Sequence, residues 1–383
     1  MIRFLSAGES HGRAVVFILE GIPAGFPLNF DFINKELARR QNFFGRGGRM
    51  KIEKDRVEII AGVRGGEALG SPLCFIIWNK DWENWEEVMH PVEKSSTPPV
   101  TRPRPGHADL AGIMKFLQGD IRNILERASA RETAARVAAG AVCKLFLQGL
   151  GMEVWGWVEE IGGVKAEWGS LSREEIKRRI YASSLLTPDP QAEKEMKSVI
   201  EKAGREGDTL GGVFRVIVDS PPPGLGSFTQ WDLRLDALLA QAVMSIPAVK
   251  GVEIGEGFRL GRLRGSEAMD EIFFENGKFR RGSNRMGGTE GGISNGEEIL
   301  VRAVMKPIPT QKKPLSTVDI RTKEQAGSWV ERGDVTAVPS CCVVAEAMVA
   351  LTVSNEIKRK FGGDSWEELR SNYHGYREKV EKL

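Results

Sequence analysis

Residues 126–150 read ERASARETAARVAAGAVCKLFLQGL, and this alanine-rich, largely apolar run predicts a long helix over Ala130–Leu150. Ser129 and Glu132 stand at its beginning with the spacing of a helix cap. Arg127 and Arg131 lie at the same end, where a cation opposes the helix dipole unless an anion is bound. The stretch therefore predicts a long helix with an anion site at its beginning.

The rest of the chain mixes strand and helix patterns along its whole length. Apolar, β-branched runs predict strands at Ala14–Leu19, Val57–Val63, Leu73–Trp78, Val213–Val218 and Ile299–Val304, with a hairpin at Asn276-Gly277. Helical periodicity predicts helices at Phe32–Arg40, Ser172–Ser183, Gln191–Ala203, Trp231–Ile246 and Cys342–Phe361. Because strands and helices do not alternate as a regular βαβ series, an α+β fold with largely antiparallel strands is favoured over a parallel sheet.

The composition is that of a globular protein with almost balanced charge. The 383 residues are 41% hydrophobic, enough for one large domain or two ordinary ones, and the net charge is +2. Such a chain offers no overall field that would recruit nucleic acid or a membrane surface. The apolar runs are shorter than the roughly 20 residues that cross a bilayer, and the four cysteines lack zinc-site spacing. We therefore expect a cytoplasmic protein without a metal site.

Two glycine-flanked loops hold two of the four histidines. His11 lies in Gly8–Gly12, and His107 lies in Arg102–Asp109. Histidine exchanges a proton near neutral pH, and tight glycine turns expose a side chain beside a ligand. Either loop alone is more often a structural turn, but together with the arginines described next they indicate acid–base chemistry.

The segment Arg39–Arg49 places four arginines around three glycines. Guanidinium groups bind carboxylate or phosphate through paired donors, so the segment predicts an anion site. A basic surface loop or an RNA-binding turn is the alternative, although no other basic stripe supports nucleic acid. Gly287–Gly296 is also rich in glycine, without the spacing of a P-loop or a Rossmann turn. The glycines of this segment therefore indicate a close approach to the backbone of some other kind.

These motifs, in this order, closely resemble the chorismate synthase family over nearly the whole chain. The resemblance is carried by Gly8–Gly12, Glu20–Gly25, Arg40–Arg49, Arg102–Asp109, Arg127–Thr133, Ile246–Gly255, Gly287–Gly296, Lys306–Thr310 and Arg332–Glu346. It implies one domain over residues 1–383, an α+β fold with an antiparallel β-sandwich core surrounded by helices. It also implies a homotetramer with cofactor sites near the subunit contacts.

The resemblance implies a trans-1,4 elimination that converts 5-enolpyruvylshikimate 3-phosphate into chorismate, the last common step of the shikimate pathway to the aromatic amino acids. Reduced FMN is required but not consumed. Some family members reduce the flavin with NADPH and others depend on an external flavin reductase, and the sequence shows no nicotinamide fingerprint that decides between them. The substrate carries one phosphate and two carboxylates. The implied substrate-binding residues are Arg40, Arg46, Arg49, Ser129, Arg131 and Arg332.

The resemblance also assigns catalytic roles. His11 would protonate or stabilise the departing phosphate, and His107 would lie beside the flavin ring and tune its charge. Asp334, with Ser10 nearby, would relay a proton at the flavin N5 position. The implied cofactor-binding residues are Arg127, Ala128, Ser129, Pro247, Ala248, Gly291, Lys306, Pro307, Ile308, Pro309, Thr310 and Arg332. Two positions depart from the family pattern, since Pro247 replaces a common asparagine and Gly333 replaces a common histidine or serine.

Two other functions remain open at this point. The first is an FMN-dependent oxidoreductase that transfers a net hydride to or from a phosphorylated anionic substrate. The second is a non-enzymatic arginine- and glycine-rich module that binds RNA, which predicts an affinity that falls steeply with salt. The balanced charge and the paired histidines argue against the RNA-binding module.

Overall fold

Two long helices packed against each other form the centre of the structure, which is a computed structural model. It describes residues 1–47, 54–275, 277–331 and 333–383. The helices are α4 (Thr133–Gln148) and α9 (Val338–Phe361), and both are buried around most of their circumference. A Cβ atom added to Gly140 of α4 would overlap the Cα and Cβ atoms of Ala347 in α9. Small residues on α4 therefore allow the two helix backbones to approach closely.

The remaining helices are shorter than α9. They are α1 (Phe30–Gln41), α2 (Asp109–Phe116), α3 (Arg122–Leu125), α5 (Arg173–Ala182), α6 (Pro190–Glu206), α7 (Leu235–Met244), α8 (Gly265–Ala268) and α10 (Trp366–Val380). The strands are β1 (Arg3–Gly8), β2 (Ala14–Glu20), β3 (Glu58–Ala61), β4 (Val63–Arg64), β5 (Glu67–Ala68), β6 (Leu73–Trp78), β7 (Glu153–Ile161), β8 (Val164–Lys165), β9 (Gly212–Asp219), β10 (Val249–Ile254), β11 (Ile272–Glu275), β12 (Lys278–Arg281), β13 (Thr289–Glu290), β14 (Ile293–Ser294), β15 (Ile299–Met305), β16 (Ser316–Val318) and β17 (Gln325–Gly327).

Two antiparallel sheets pack on the central helices. The N-terminal sheet, in the order β1-β2-β6-β3, lies against α4 and directs Val15, Phe17 and Leu19 of β2 into the core. The large sheet, in the order β10-β15-β9-β7-β8, lies against α9 through β7 and β9. Alternation along β2 follows the two-residue period of a half-buried strand. The layers therefore run from sheet through helices to sheet.

The expectation of an α+β fold with antiparallel strands is confirmed. The β-sandwich core surrounded by helices is not confirmed, because α4 and α9 occupy the centre and the strands divide among several sheets. A helix that is apolar on all sides belongs in the interior rather than on the outside of a sandwich. α9 is long and apolar enough to cross a membrane by length and composition, yet 89% of its most apolar 18-residue window is buried inside the protein.

Most predicted elements are found, with differences at their ends. Ala130–Glu132 and Trp231–Leu233 are short 3-10 turns, so α4 and α7 begin three and four residues later than expected. The Val57–Val63 run is broken at Gly62, whose φ of 88° separates β3 from β4. β11 and β12 pair as the predicted hairpin, while Asn276 lies outside the described residues.

Three helix ends meet around one region. The arginine loop that follows α1 contacts the segment before α9, because the Val335 N–H donates to the Gly45 carbonyl over 2.9 Å. At the beginning of α9, the Ser340 hydroxyl donates to the Arg40 carbonyl over 2.7 Å. The end of α1 and the beginnings of α4 and α9 thereby bring several predicted site residues together.

Candidate active site

Asp55 joins two of the predicted substrate-binding arginines. Its carboxylate accepts from Arg40 Nη2 over 2.7 Å and from Arg131 Nη1 over 2.5 Å. Arg131 Nε also donates to Asn79 Oδ1 over 2.7 Å, and Arg40 Nη1 donates to the Thr133 hydroxyl over 3.3 Å. Both guanidinium groups are buried, so they present fixed donors rather than mobile surface charges.

The charges in this cluster alter each other's ionisation. Burial raises the pKa of Asp55, but the charges of Arg40 and Arg131 outweigh burial and hold that pKa below its usual value. Burial lowers the pKa of Arg40, and the charges of Arg131 and Arg46 act in the same direction. The charges of three of the predicted arginines, Arg40, Arg46 and Arg131, therefore act on one another. Arg49 and Arg332 lie outside the described residues.

Asp334 and Ser10, the predicted proton relay, are found in separate contacts. Asp334 Oδ2 lies 3.0 Å from Arg46 Nη1, and the Gly47 N–H donates to Asp334 Oδ1 over 2.5 Å. The Ser10 hydroxyl accepts from the Ser129 hydroxyl over 3.1 Å. The structure thus brings Asp334 to the arginine loop and Ser10 to the beginning of the α4 region.

His11 is held by a buried carboxylate and an aromatic ring. Its Nδ1 lies 3.0 Å from both oxygens of Glu126, and its backbone N–H donates to Glu126 Oε2 over 2.9 Å. The imidazole stacks on Trp85 with ring centroids 3.8 Å apart. Arg122 Nη1 donates to Glu126 Oε1 over 3.1 Å. Burial raises the pKa of Glu126, but the hydrogen bonds and charge of His11, together with Arg122, lower it below its usual value.

His107 belongs to a second cluster of the same kind. Its Nδ1 lies 2.5 Å from Asp109 Oδ1, and Arg104 Nε donates to Asp109 Oδ2 over 2.9 Å. Burial raises the pKa of Asp109, but hydrogen bonds from His107 and Arg104 outweigh burial and hold that pKa well below its usual range. Arg104 Nη1 also donates to the Thr310 hydroxyl over 2.9 Å. This bond ties the His107 loop to the predicted cofactor segment Lys306–Thr310.

Further contacts place that segment. A Cβ atom added to Gly106 would lie 3.7 Å from Lys306 Nζ. The Lys306 N–H donates to the Ala248 carbonyl over 2.9 Å, and Thr209 donates to the Ile308 carbonyl over 2.8 Å. Burial, together with the charge of Lys250, lowers the pKa of Lys306. The His107 loop, Ala248 and Lys306–Thr310, which includes Pro307 and Pro309, therefore lie together.

Three other predicted cofactor positions lie elsewhere. Arg127 donates to the Ser6 and Gly8 carbonyls, so it and Ala128 lie beside the His11 loop. The Gly291 carbonyl accepts from Arg234 at the beginning of α7, whereas Pro247 and Ala248 follow its end. A helix of that length spans about 15 Å. The structure therefore divides the predicted cofactor residues among three places.

Sequence reasoning missed several residues that hold these clusters, namely Asp55, Asn79, Trp85, Arg104, Asp109 and Glu126 in their present roles. Trp85 packs on the imidazole of His11. Glu126 and Asp109 lie inside motifs that were singled out for their arginines and histidines. For Asp109 the available signal was a carboxylate two residues after His107, because such groups commonly orient an imidazole.

Comparison with known proteins extends over the whole molecule. A family model described as chorismate synthase matches residues 2–357. The chain is 54% identical over 390 residues to the chorismate synthase of Geobacter sulfurreducens, covering 99% of each chain. It is 51% identical to that of Carboxydothermus hydrogenoformans, covering 99% of each. The chain belongs to the chorismate synthase family.

A solved structure of a chorismate synthase matches the fold with a TM-score of 0.81 and 42% identity, covering 100% of this chain and 99% of the other. The activity of the chorismate synthase family is the conversion of 5-enolpyruvylshikimate 3-phosphate into chorismate. The family consists of carbon–oxygen lyases of aromatic biosynthesis. This activity requires a site that binds a multiply charged anion and moves a proton.

Proposed function

We propose that this chain performs the family's elimination at the region where Arg40, Arg46, Arg131 and His11 lie. The observation that carries the proposal is the buried arginine pair around Asp55. Arg40 Nε is buried and has no acceptor among the residues that the structure describes. A buried donor without an acceptor is costly, and an anionic ligand would supply one. The donor set therefore fits a substrate with one phosphate and two carboxylates, with Arg49, Ser129 and Arg332 as further ligands.

His11 then acts on the leaving group. A hydrogen-bonded series of Ser10, Ser129 and Arg131 connects its loop with the arginine cluster. An imidazole beside an anion site can donate a proton to, or hydrogen-bond with, the phosphate oxygen as the carbon–oxygen bond breaks. The proposed role of His11 is to stabilise the departing phosphate in this way.

The cofactor of the proposed reaction is reduced FMN, which supplies an electron-rich ring beside the reacting carbon when bound. The cationic and backbone groups near His107 fit an anionic flavin. Lys306 supplies a half-buried cation, and its backbone N–H binds the Ala248 carbonyl, which brings the two predicted cofactor segments together. Lys306–Thr310, Pro247, Ala248, Gly291, Arg127–Ser129 and Arg332 would hold the group. His107 would tune the charge near the ring, while Asp334 and Ser10 would move the proton at N5.

We also propose that the chain is a cytoplasmic homotetramer. The outward face of the N-terminal sheet supports an assembly, because Leu5 and Ile18 are cross-strand neighbours and are 70% and 42% exposed. Exposed apolar faces of this kind are typical of subunit contacts. Assembly would also provide a way to complete a cofactor site whose residues lie apart within one chain.

An anaerobic assay tests the proposed function. The chain is given 5-enolpyruvylshikimate 3-phosphate with dithionite-reduced FMN, and chorismate and phosphate are measured. We expect both products in equal amounts without stoichiometric loss of reduced flavin. Consumption of one reductant per turnover would instead identify the FMN-dependent oxidoreductase, and absence of product would overturn the proposal.

A second arm replaces dithionite with NADPH and oxidised FMN. Turnover in that arm would show that the chain reduces its own flavin. Turnover only with dithionite would assign reduction to an external flavin reductase.

A further inference from the structure

We propose that Glu126 is the positioning residue for His11, holding Nδ1 so that His11 exchanges its proton with the substrate through Nε2. This inference rests on the role proposed above for His11. It assigns to Glu126 the orientation of the His11 ring, which is separate from the anion binding proposed for the arginines.

The contacts fix both the backbone and the ring of His11. The Glu126 carboxylate lies 3.0 Å from Nδ1 and also accepts the His11 backbone N–H over 2.9 Å. The Glu126 carbonyl accepts the Ser10 N–H over 2.9 Å. Glu126 therefore holds both the loop backbone, at Ser10 and His11, and the imidazole ring.

The carboxylate is also held from its other side. Its side chain is only 2% exposed, and a carboxylate that deeply buried requires partners. Arg122 supplies one, donating to Oε1 while its guanidinium carbon lies 5.2 Å from the centroid of the Trp85 ring. Trp85 in turn stacks on His11 and donates from Nε1 to Asp81. His11, Glu126, Arg122 and Trp85 form a closed ring of contacts that restrains the imidazole.

The chemical consequence follows from the two nitrogens of imidazole. A carboxylate at Nδ1 keeps a proton there and selects the tautomer that exchanges at Nε2. In the elimination, the carbon–oxygen bond breaks with its electron pair going to the phosphate oxygen, and Nε2 of the imidazolium gives that oxygen a proton. Glu126 remains ionised throughout, and its charge stabilises the imidazolium before transfer.

Glu126→Gln tests the proposal, because the amide keeps the shape and removes the charge. The matched control is Glu356→Gln, another carboxylate with a 2% exposed side chain, paired with Arg359 on α9. We expect Glu126→Gln to lower kcat by about tenfold or more while KM for the substrate stays within about twofold. Glu356→Gln should leave both values unchanged. An equal loss of kcat in both variants, or a changed KM with normal kcat, would overturn the proposal.

A second measurement is independent of turnover. In protein labelled with ¹⁵N-histidine, His11 is assigned by comparison with His11→Gln, and its tautomer is read from ring nitrogen shifts. We expect an Nδ1–H signal far downfield in the parent chain that moves upfield in Glu126→Gln but not in Glu356→Gln. Unchanged His11 signals in Glu126→Gln would show that the carboxylate does not set the tautomer. If the parent chain proves inactive, the proposed function fails, and the nitrogen shifts still decide whether Glu126 holds Nδ1.

Discussion

At the residue scale, Asp55 shows how one carboxylate can arrange the arginines of the proposed binding site. Arg40 and Arg131 come from different helix ends, and each directs a guanidinium nitrogen at Asp55. Without that carboxylate the two cations would repel each other in a buried place. The geometry of the proposed anion site therefore depends on a residue that does not itself bind anions.

Asp55→Asn removes this charge, and we expect it to destabilise the fold by about 3–5 kcal/mol at neutral pH. The pKa of Asp55 is lowered in the folded state, so its contribution is present above the ordinary value of 3.8 and disappears as pH falls through the folded pKa. Urea unfolding of the parent chain and of Asp55→Asn between pH 7 and pH 3 measures the difference in their free energies of unfolding. We expect this difference to become smaller as the pH falls. Equal stability of the two proteins at pH 7 would show that the Asp55 charge does not stabilise the arginine pair.

The two histidines give a prediction about rate. His11→Ala and His107→Ala should each lower turnover by about 10²-fold or more, because the proposed mechanism gives His11 a proton-transfer role and His107 a charge-tuning role. His374, which is exposed on α10, provides the control, and His374→Ala should turn over normally. Anaerobic steady-state rates measure all three. Near-normal turnover of either site variant would remove that histidine from the mechanism.

The sequence predicted the arginines and histidines of the clusters but not what holds them. Asp55 and Arg131 are separated by 76 positions, and His11 and Glu126 by 115. Local spacing carries no information about such pairs, because only the tertiary fold brings them together. The residues within one motif could be recognised, and their distant partners could not.

At the scale of elements, the crossing of α4 and α9 depends on Gly140. Alanine normally favours a helix over glycine by roughly 1 kcal/mol, but here the added methyl would meet the backbone of Ala347. Backbone atoms cannot turn away as a flexible side chain can. The packing cost should therefore outweigh the gain in helix propensity.

We expect Gly140→Ala to destabilise the protein by about 1–3 kcal/mol, measured by denaturant unfolding. Gly375 lies within α10, and a Cβ atom there would meet nothing within 4 Å. Gly375→Ala should therefore stabilise the protein by about 0.5–1 kcal/mol. The prediction fails if both substitutions change stability in the same direction.

A buried ionic network joins three helices at the centre. Lys144 of α4 donates to Glu36 of α1 and to Glu346 of α9, and Arg39 also pairs with both carboxylates. Burial raises the pKa of Glu36, but Lys144 and Arg39 outweigh it and lower the pKa to about 2. The stabilisation from ionised Glu36 is fully present above pH 4.5 and disappears as the pH falls towards 2.

Lys144→Met leaves two buried carboxylates with one arginine, and we expect it to destabilise the fold by about 3–5 kcal/mol at pH 7. Protonation of Glu36 relieves the repulsion in the variant, so the difference in stability between the two proteins should shrink as the solution is acidified. Thermal unfolding over a series of pH values measures it. A constant difference across the series would show that packing rather than charge is responsible.

Periodicity predicted most elements but not their arrangement. Periodicity predicts α4 and α9 as helices, and nothing in the spacing of their apolar residues places them at the centre. Their lack of a polar face was the relevant signal, because an element surrounded by protein needs no solvent side. The 3-10 turn at Ala130–Glu132 escaped prediction, since the Ser129 hydroxyl accepts the Arg131 N–H two residues along rather than capping α4.

At the scale of the whole molecule, the outward face of the N-terminal sheet predicts the assembly. Ile18→Glu places a charge in the middle of that face, and we expect it to lower the mass of the oligomer. Val92→Glu is the control, because Val92 is exposed outside the sheet. Sedimentation velocity measures both masses. An unchanged mass for Ile18→Glu would show that the sheet face is not a subunit contact.

The central position of α9 also bears on how the chain is made. The N-terminal sheet and α4 leave the ribosome long before residues 338–361 are translated, and the Ile2 N–H is finally bound by the Asn355 side chain over 2.8 Å. A nascent chain therefore carries the uncovered apolar surface of α4 for most of its synthesis, a state prone to aggregation. The interval before residues 338–361 emerge is therefore the period in which we expect chaperones to bind the uncovered surface of α4.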